Sequence, residues 1–127
     1  MKLLLDTRVF LWAITNDPRL TTEKAAAFVD EGNELFLSIA SVWEMLIKVG
    51  IGNLPLPKPS AAYITKQLDK NRINTLPIRA AHLAQLEKLP PLHKDPFDRM
   101  IVAQAQAEGY PVLSSDRAIY QYDVEII

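Results

Sequence analysis

The chain is expected to fold as an α/β protein built on a mainly parallel sheet covered by helices on both faces. Three observations lead there. Short apolar runs such as "LLL" (3–5) and "ELFLS" (34–38) have the length and composition of strands. Longer amphipathic stretches separate them, with helix caps and stops at their ends. Strand and helix signals alternate along the chain, as in a crossover-connected parallel sheet.

Taken in order, "LLL" (3–5) is a strand buried on both faces, and "VFLWAI" (9–14) is a helix ending near "NDPR". "TTEKAAAFVDEG" (21–32) is a helix with a threonine cap and Gly32 as its stop. "ELFLS" (34–38) is the second strand. "SVWEMLIKVG" (41–50) is a helix with Ser41 as N-cap and Glu44 at the third position, a capping box. "IGNLPLPKPS" (51–60) is a proline-rich loop, and Ser60 caps a helix to about Asn71. "INTLPI" (73–78) is the third strand, and "RAAHLAQLEKL" (79–89) is a helix ended by two prolines. Residues 97–108 are helical, stopped by Gly109. "PVLS" (111–114) is the fourth strand and "VEII" (124–127) a possible fifth, so the sheet has four to five strands.

With 127 residues and 49% hydrophobic side chains, one domain with a substantial core is expected over residues 1–127. The chain has no cysteine, which excludes disulfides and thiolate metal sites and suits a reducing, cytoplasmic setting. "MKLLLD" is too briefly apolar to be a signal peptide, and no stretch approaches a membrane span. A net charge of −1 lacks the basic footprint of a protein that simply grips nucleic acid.

In parallel sheets, ligands bind beyond the carboxyl ends of the strands. Asp6 directly follows the first strand, and Ser114, Ser115 and Asp116 follow the fourth. In "HKDPFDRMIVAQAQAEG" (93–109), Asp95 suits an N-cap with Pro96 at the first helical position. Asp98 then lies in the first turn. On a helical wheel Ile101, Val102 and Ala105 fall within about 60° of it, with Arg99, Ala103 and Gln106 farther round, at about 80–140°. A carboxylate directed along an apolar stripe must be paired, protonated or metal-bound. Glu44 and Asp116 each serve equally as caps or as site residues.

Four clustered carboxylates would repel one another unless cations intervene. An all-oxygen donor set suits Mg²⁺ or Mn²⁺. Such ions activate water and clamp phosphate oxygens, so metal-assisted phosphodiester hydrolysis is the expected reaction class.

"LLLDT" (3–7), "SVWEMLIKVGIGNLPLP" (41–57), "HKDPFDRMIVAQA" (93–105) and "SSDRAIYQY" (114–122) resemble the motifs of PIN-domain ribonucleases, specifically VapC-type toxins of toxin–antitoxin pairs. The motifs come in family order and cover nearly the whole chain. The resemblance implies an α/β/α sandwich with Asp6, Glu44, Asp98 and Asp116 as an acidic metal site. It further implies Mg²⁺- or Mn²⁺-dependent endoribonuclease activity, a cognate antitoxin as partner and, often, a homodimer. Two positions depart from the pattern: Arg8 stands where histidine is common, and Ser114 where threonine is common. Arg8 can hold a phosphate, pair with a site acid or stay exposed. Ser114 keeps a hydroxyl able to orient a water or a ligand.

Around these acids, Thr7 either bonds a site carboxylate or caps the following helix. Arg99 and Arg117 adjoin acids and either meet RNA phosphate or sit solvated at the surface. Lys48 is expected to pair with Glu44 one turn away, His93 to be a loop residue, and Trp12 and Trp43 to be core. "LLLDT" also resembles haloacid-dehalogenase phosphotransferases, but these need a second aspartate at the position of Arg8. A non-catalytic alternative is an inactive PIN-fold binding or regulatory module.

Overall fold

The computed structural model describes residues 1–127. The first strand, β1 (Lys2–Leu5), is followed by helices α1 (Thr7–Ile14) and α2 (Thr22–Val29). Next come β2 (Glu34–Ser38), α3 (Ile39–Gly50) and α4 (Ser60–Lys70). The chain continues through β3 (Ile73–Leu76), α5 (Ala80–Lys88), α6 (Pro96–Glu108), β4 (Val112–Leu113) and α7 (Arg117–Tyr120). All strand pairs are parallel, in the order β3-β2-β1-β4.

Side-chain alternation along the strands sorts the core into two layers. Leu3, Leu5, Leu35 and Leu37 meet Val9 and Phe10 of α1, Met45 of α3 and Ile64 and Leu68 of α4. Leu4 and Leu76 point the other way, into Ile101, Val102 and Ala105 of α6, with Ile119 and Tyr122. Helices therefore cover both faces, giving the expected α/β/α sandwich. Leu3, Leu4 and Leu5 are fully buried, each contributing about 1.5–3 kcal/mol of apolar burial.

The strand order fixes where a site can form. The chain runs outward from β1 to β2 to β3, then returns to place β4 on the other side of β1. Connections therefore leave β1 and β4 in opposite directions, and a crevice opens between their carboxyl ends. The register places Leu5 beside both Leu37 and Leu113. Asp6, Ser38 and Ser114 consequently emerge together at one edge.

Several local expectations are corrected. Ser38, not Ser41, caps α3, accepting from the Ala40 N–H at 3.1 Å. The helix thus begins as soon as β2 ends, and Glu44 lies in its second turn, outside any capping box. Ser60 is the first residue of α4 rather than its cap, and its hydroxyl donates to the Pro57 carbonyl at 3.1 Å. α2 stops at Asp30, before Gly32. Residues 124–127 form only an isolated bridge between Ile126 and Val112. The two-residue β4, preceded by Pro111, offers too little ladder for a fifth strand.

α6 follows its sequence signals closely. Asp95 accepts from the Phe97 and Asp98 N–H groups at 2.9 and 3.1 Å, Pro96 occupies the first turn, and Gly109 closes the helix at φ +73°. Its wheel is less amphipathic than expected. Ala103, on the face opposite Asp98, is fully buried because α5 packs there and the sheet side takes Ile101 and Val102. Trp43 is not core: it is 61% exposed and meets Phe97 edge-on at 5.3 Å between centroids. Trp12 is partly buried, with the Arg19 guanidinium over its ring at 5.1 Å.

Candidate metal centre

Beyond the carboxyl ends of β1 and β4, a pocket of about 60 Å³ is lined by Asp6, Glu44, Asp95, Asp98 and Asp116, with Thr7, Arg8 and Lys48. It has room for an ion and one or two waters, each water occupying about 30 Å³ in the liquid. A larger depression of about 430 Å³ lies at the opposite ends of the strands, beside Asp30, Glu31, Lys70 and Arg72. Its acids are balanced by bases and it is far from the crevice, so the small pocket is the candidate site.

Each acid arrives by a different local route. Asp6 is carried by the end of β1, its backbone N–H donating to the Leu113 carbonyl at 3.1 Å. It caps α1, Oδ1 accepting from the Val9 N–H at 2.8 Å, while Oδ2 accepts from the Ser114 hydroxyl. Capping and site membership are thus compatible. Burial raises the Asp6 pKa above the ordinary carboxylate value, opposed by the Ser114 and Val9 hydrogen bonds; Asp116 raises it and Arg8 lowers it.

Glu44 enters from α3 and is 5% exposed. The Thr7 hydroxyl lies 2.9 Å from both Glu44 Oε1 and Ser41 Oγ. It has one proton and the carboxylate is the stronger acceptor, so Thr7 donates to Glu44 and Ser41 donates to Thr7. Lys48 Nζ donates to Glu44 Oε2 at 2.9 Å, the expected pair one turn on. Asp116 caps α7, accepting from the Ala118 N–H at 2.9 Å, and its own N–H donates to Ser114 Oγ at 2.9 Å. Fully buried Ser114 therefore links Asp6 to Asp116.

Asp98 differs from the other three. Asp6, Glu44 and Asp116 each accept hydrogen bonds, whereas Asp98 accepts none; the one basic side chain within 4 Å of it is His93, whose Nε2 lies 3.6 Å from Oδ2. Burial and then the charges of Asp95, Asp116, Glu44 and Asp6 push its pKa up to about 7. This mutual repulsion is what a divalent cation would relieve, and the donors are all hard oxygens. As placed, no three acidic or histidine side chains close around a common point at ligand distance. Asp6, Glu44 and Asp116 are each held by their own hydrogen bonds, and the oxygens they present are of the hard type a divalent cation takes.

Of the supporting residues, Thr7 and Ser114 both bond site carboxylates. Arg8 is exposed at the pocket and forms no ion pair, and Arg117 is exposed. Arg99 is half-buried and forms no ion pair with the acids. Its Nη1 donates to the Pro90 carbonyl at 2.8 Å and to the Tyr122 hydroxyl at 3.1 Å. His93 lies in the loop before α6, as expected, but its approach to Asp98 was not anticipated from the sequence. Its position two residues before the Asp95 cap was the available signal.

The fold and the pocket define an α/β domain with an acidic crevice at its topological switch point. Residues 3–125 match the PIN domain model, and the chain belongs to the PIN-domain family. It is 37% identical over 71 residues to "Ribonuclease VapC16" of Mycobacterium tuberculosis, covering 53% of this chain and 50% of that protein. The match therefore spans about half the length of that curated relative. Among solved structures, VapBC2 from Rickettsia felis bound to a promoter DNA fragment superposes with a TM-score of 0.73 at 16% identity, covering 100% of this chain and 98% of that one. VapBC-1 from nontypeable Haemophilus influenzae gives 0.70 at 18% identity, covering 100% and 97%. Both are likenesses of fold.

Proposed function

We propose that residues 1–127 form one PIN domain that cuts RNA endonucleolytically with Mg²⁺, or Mn²⁺ in its place. The observation that carries this reading is Asp98, an unpartnered carboxylate held up to about 7 by burial and by four other acids around one small pocket. Asp6, Glu44, Asp98 and Asp116 would hold the metal directly or through water. A divalent ion bound there supplies charge neutralisation, phosphate polarisation and a more acidic water. Thr7 and Lys48 orient Glu44, and Ser114 orients Asp6. Exposed Arg8, which lines the pocket, and exposed Arg117, next in the chain to Asp116, meet RNA phosphate. Similarity to a named ribonuclease supports RNA as substrate.

The same reading makes the chain the toxin of a toxin–antitoxin pair, acting in the cytoplasm. VapBC complexes among its structural neighbours support an antitoxin partner. A groove of about 410 Å³ beside α1 and α2, where Trp12, Leu20 and Phe28 alternate with polar Asn16, Asp17 and Asn71, suits an antitoxin segment. Ile39, Trp43, Ile47 and Ile51 recur every four residues on and just after α3 and remain exposed, a stripe suited to a second copy in a homodimer. No helix is long and apolar enough to cross a membrane.

The test is incubation of the antitoxin-free chain with total cellular RNA in Mg²⁺, Mn²⁺ or EDTA, with the new ends mapped. Cleavage should need metal and fall by about 100-fold or more in Asp6→Asn and Asp98→Asn, the scale of losing one electrostatic stabiliser. Undiminished cleavage by Asp6→Asn, or cleavage in EDTA, would refute the assignment. RNA or antitoxin binding without any cleavage would instead indicate a non-catalytic module.

A further inference from the structure

Asp98 lacks the hydrogen bonds that orient the other three acids, yet one buried donor points at it. His93 Nε2 has no solvent access and no hydrogen-bond partner, and it stands 3.6 Å from Asp98 Oδ2. Its other ring nitrogen, Nδ1, lies 2.7 Å from the hydroxyl of Tyr122, a residue 5% exposed. That hydroxyl in turn receives Arg99 Nη1 at 3.1 Å.

Chemistry fixes the donor at the Arg99 end of this chain, and the surroundings of His93 orient the rest. A guanidinium can only donate, so it occupies a lone pair of the Tyr122 oxygen. The phenolic proton is then directed to His93 Nδ1. A neutral imidazole accepting at Nδ1 carries its own hydrogen on Nε2, and that hydrogen faces Asp98. Once Asp98 is ionised, as a metal ligand must be, the opposite tautomer would set a nitrogen lone pair against its carboxylate. A gap of 3.6 Å is a few tenths of an ångström too long for a hydrogen bond, and a small Asp98 rotation closes it.

We propose that Arg99, Tyr122 and His93 form a positioning relay that holds the Asp98 carboxylate in the orientation required to take a divalent cation. The relay rests on the metal-site reading and adds to it. Oδ2 is anchored by His93, leaving Oδ1 for the pocket. The imidazole is fixed by the segment after α7, so the end of the fold reaches the site through Tyr122. Neither His93 nor Tyr122 touches substrate; both act through Asp98.

The test uses the full antitoxin-free chain and Mn²⁺ alone, with free Mn²⁺ followed by electron paramagnetic resonance. Tyr122→Phe removes a single oxygen and is the decisive variant; His93→Phe removes the anchor, and His93→Gln restores a side-chain N–H. Tyr122→Phe and His93→Phe should weaken Mn²⁺ binding by about 10–100-fold, the usual cost of losing an outer partner of a metal ligand. His93→Gln should recover part of it. Long-range ¹H–¹⁵N spectra should show His93 with its hydrogen on Nε2 in wild type and a tautomer mixture in Tyr122→Phe. If Asp98→Asn loses Mn²⁺ while both relay variants bind like wild type, the relay is wrong and the site stands. An Nδ1–H tautomer in wild type overturns the relay as well. If wild type binds Mn²⁺ no better than Asp98→Asn, the relay falls together with the site.

Discussion

Replacing Asp98 by asparagine keeps the shape and removes the charge, and its effect on stability should depend on pH in a defined direction. Burial and neighbouring acids move Asp98 from an ordinary 3.8 to about 7 in the folded protein. The folded state then holds this proton more tightly than the unfolded chain. Between about pH 4 and pH 7 it binds more protons than the unfolded state, so unfolding free energy falls as pH rises through that window and stays low above it. At full strength the displacement corresponds to about 4 kcal/mol. The carboxylate borders a pocket open to solvent, and solvent screening reduces this to about 1–2 kcal/mol.

Asp98→Asn does not titrate, so it escapes the loss. In EDTA it should match wild type near pH 4 and exceed it by about 1–2 kcal/mol near pH 8, or about 3–8 °C in Tm for a chain of this size. Asp6, also raised by burial, is present in both proteins and cancels in the difference. Thermal melts followed by circular dichroism across this range are sufficient. Saturating Mn²⁺ should reverse the order, since a ligand at 100 times its Kd stabilises by about 2.7 kcal/mol and the variant lacks a ligand. A gap independent of pH, or a variant less stable near pH 8 in EDTA, would refute the reasoning.

Two more outcomes are expected from the same contacts. Asp95→Asn keeps an N-cap for the Phe97 and Asp98 N–H groups but deletes the largest charge acting on Asp98. Stability should change by less than about 1 kcal/mol, while the Asp98 carboxyl resonance, followed by ¹³C NMR, should titrate at lower pH than in wild type. Leu4→Ala opens a cavity among Ile101, Val102 and Val112 at the sheet centre and should cost about 2–5 kcal/mol in urea unfolding, with an unchanged m value.

Much of the fold was legible because its signals are local. The leucine run of β1, the Asp95-Pro96 start of α6 and the Gly109 stop all act within one turn of chain, and the structure follows them. The Ser41 cap failed because Ser38, at the end of β2, could cap earlier and left no room for a loop. The wheel of α6 misplaced Ala103 because helices on two sides bury more than one stripe. Trp43 could not be told from core by composition, since an apolar helical stripe facing outward reads the same as one facing in. The four acids were found by placing each at a strand end or helix start, and the fold gathers them in one pocket. Arg99, Tyr122 and His93 were out of reach because their contacts are tertiary: 23 residues separate Arg99 from Tyr122 and 29 separate His93 from it. No spacing rule links residues that meet only after the loop before α6 and the segment after α7 converge.

The central claim is that these carboxylates form one divalent-metal site, and crystals of the antitoxin-free chain grown with Mn²⁺ would test it most directly through the anomalous signal of the metal. The account predicts Mn²⁺ in the pocket bounded by Asp6, Glu44, Asp98 and Asp116, with oxygen ligands at about 2.0–2.3 Å and Asp98 turned to bring Oδ2 within hydrogen-bond distance of His93 Nε2. A pocket without Mn²⁺ at saturating concentration, with the four acids still held as they are and Mn²⁺ bound elsewhere or not at all, would contradict it.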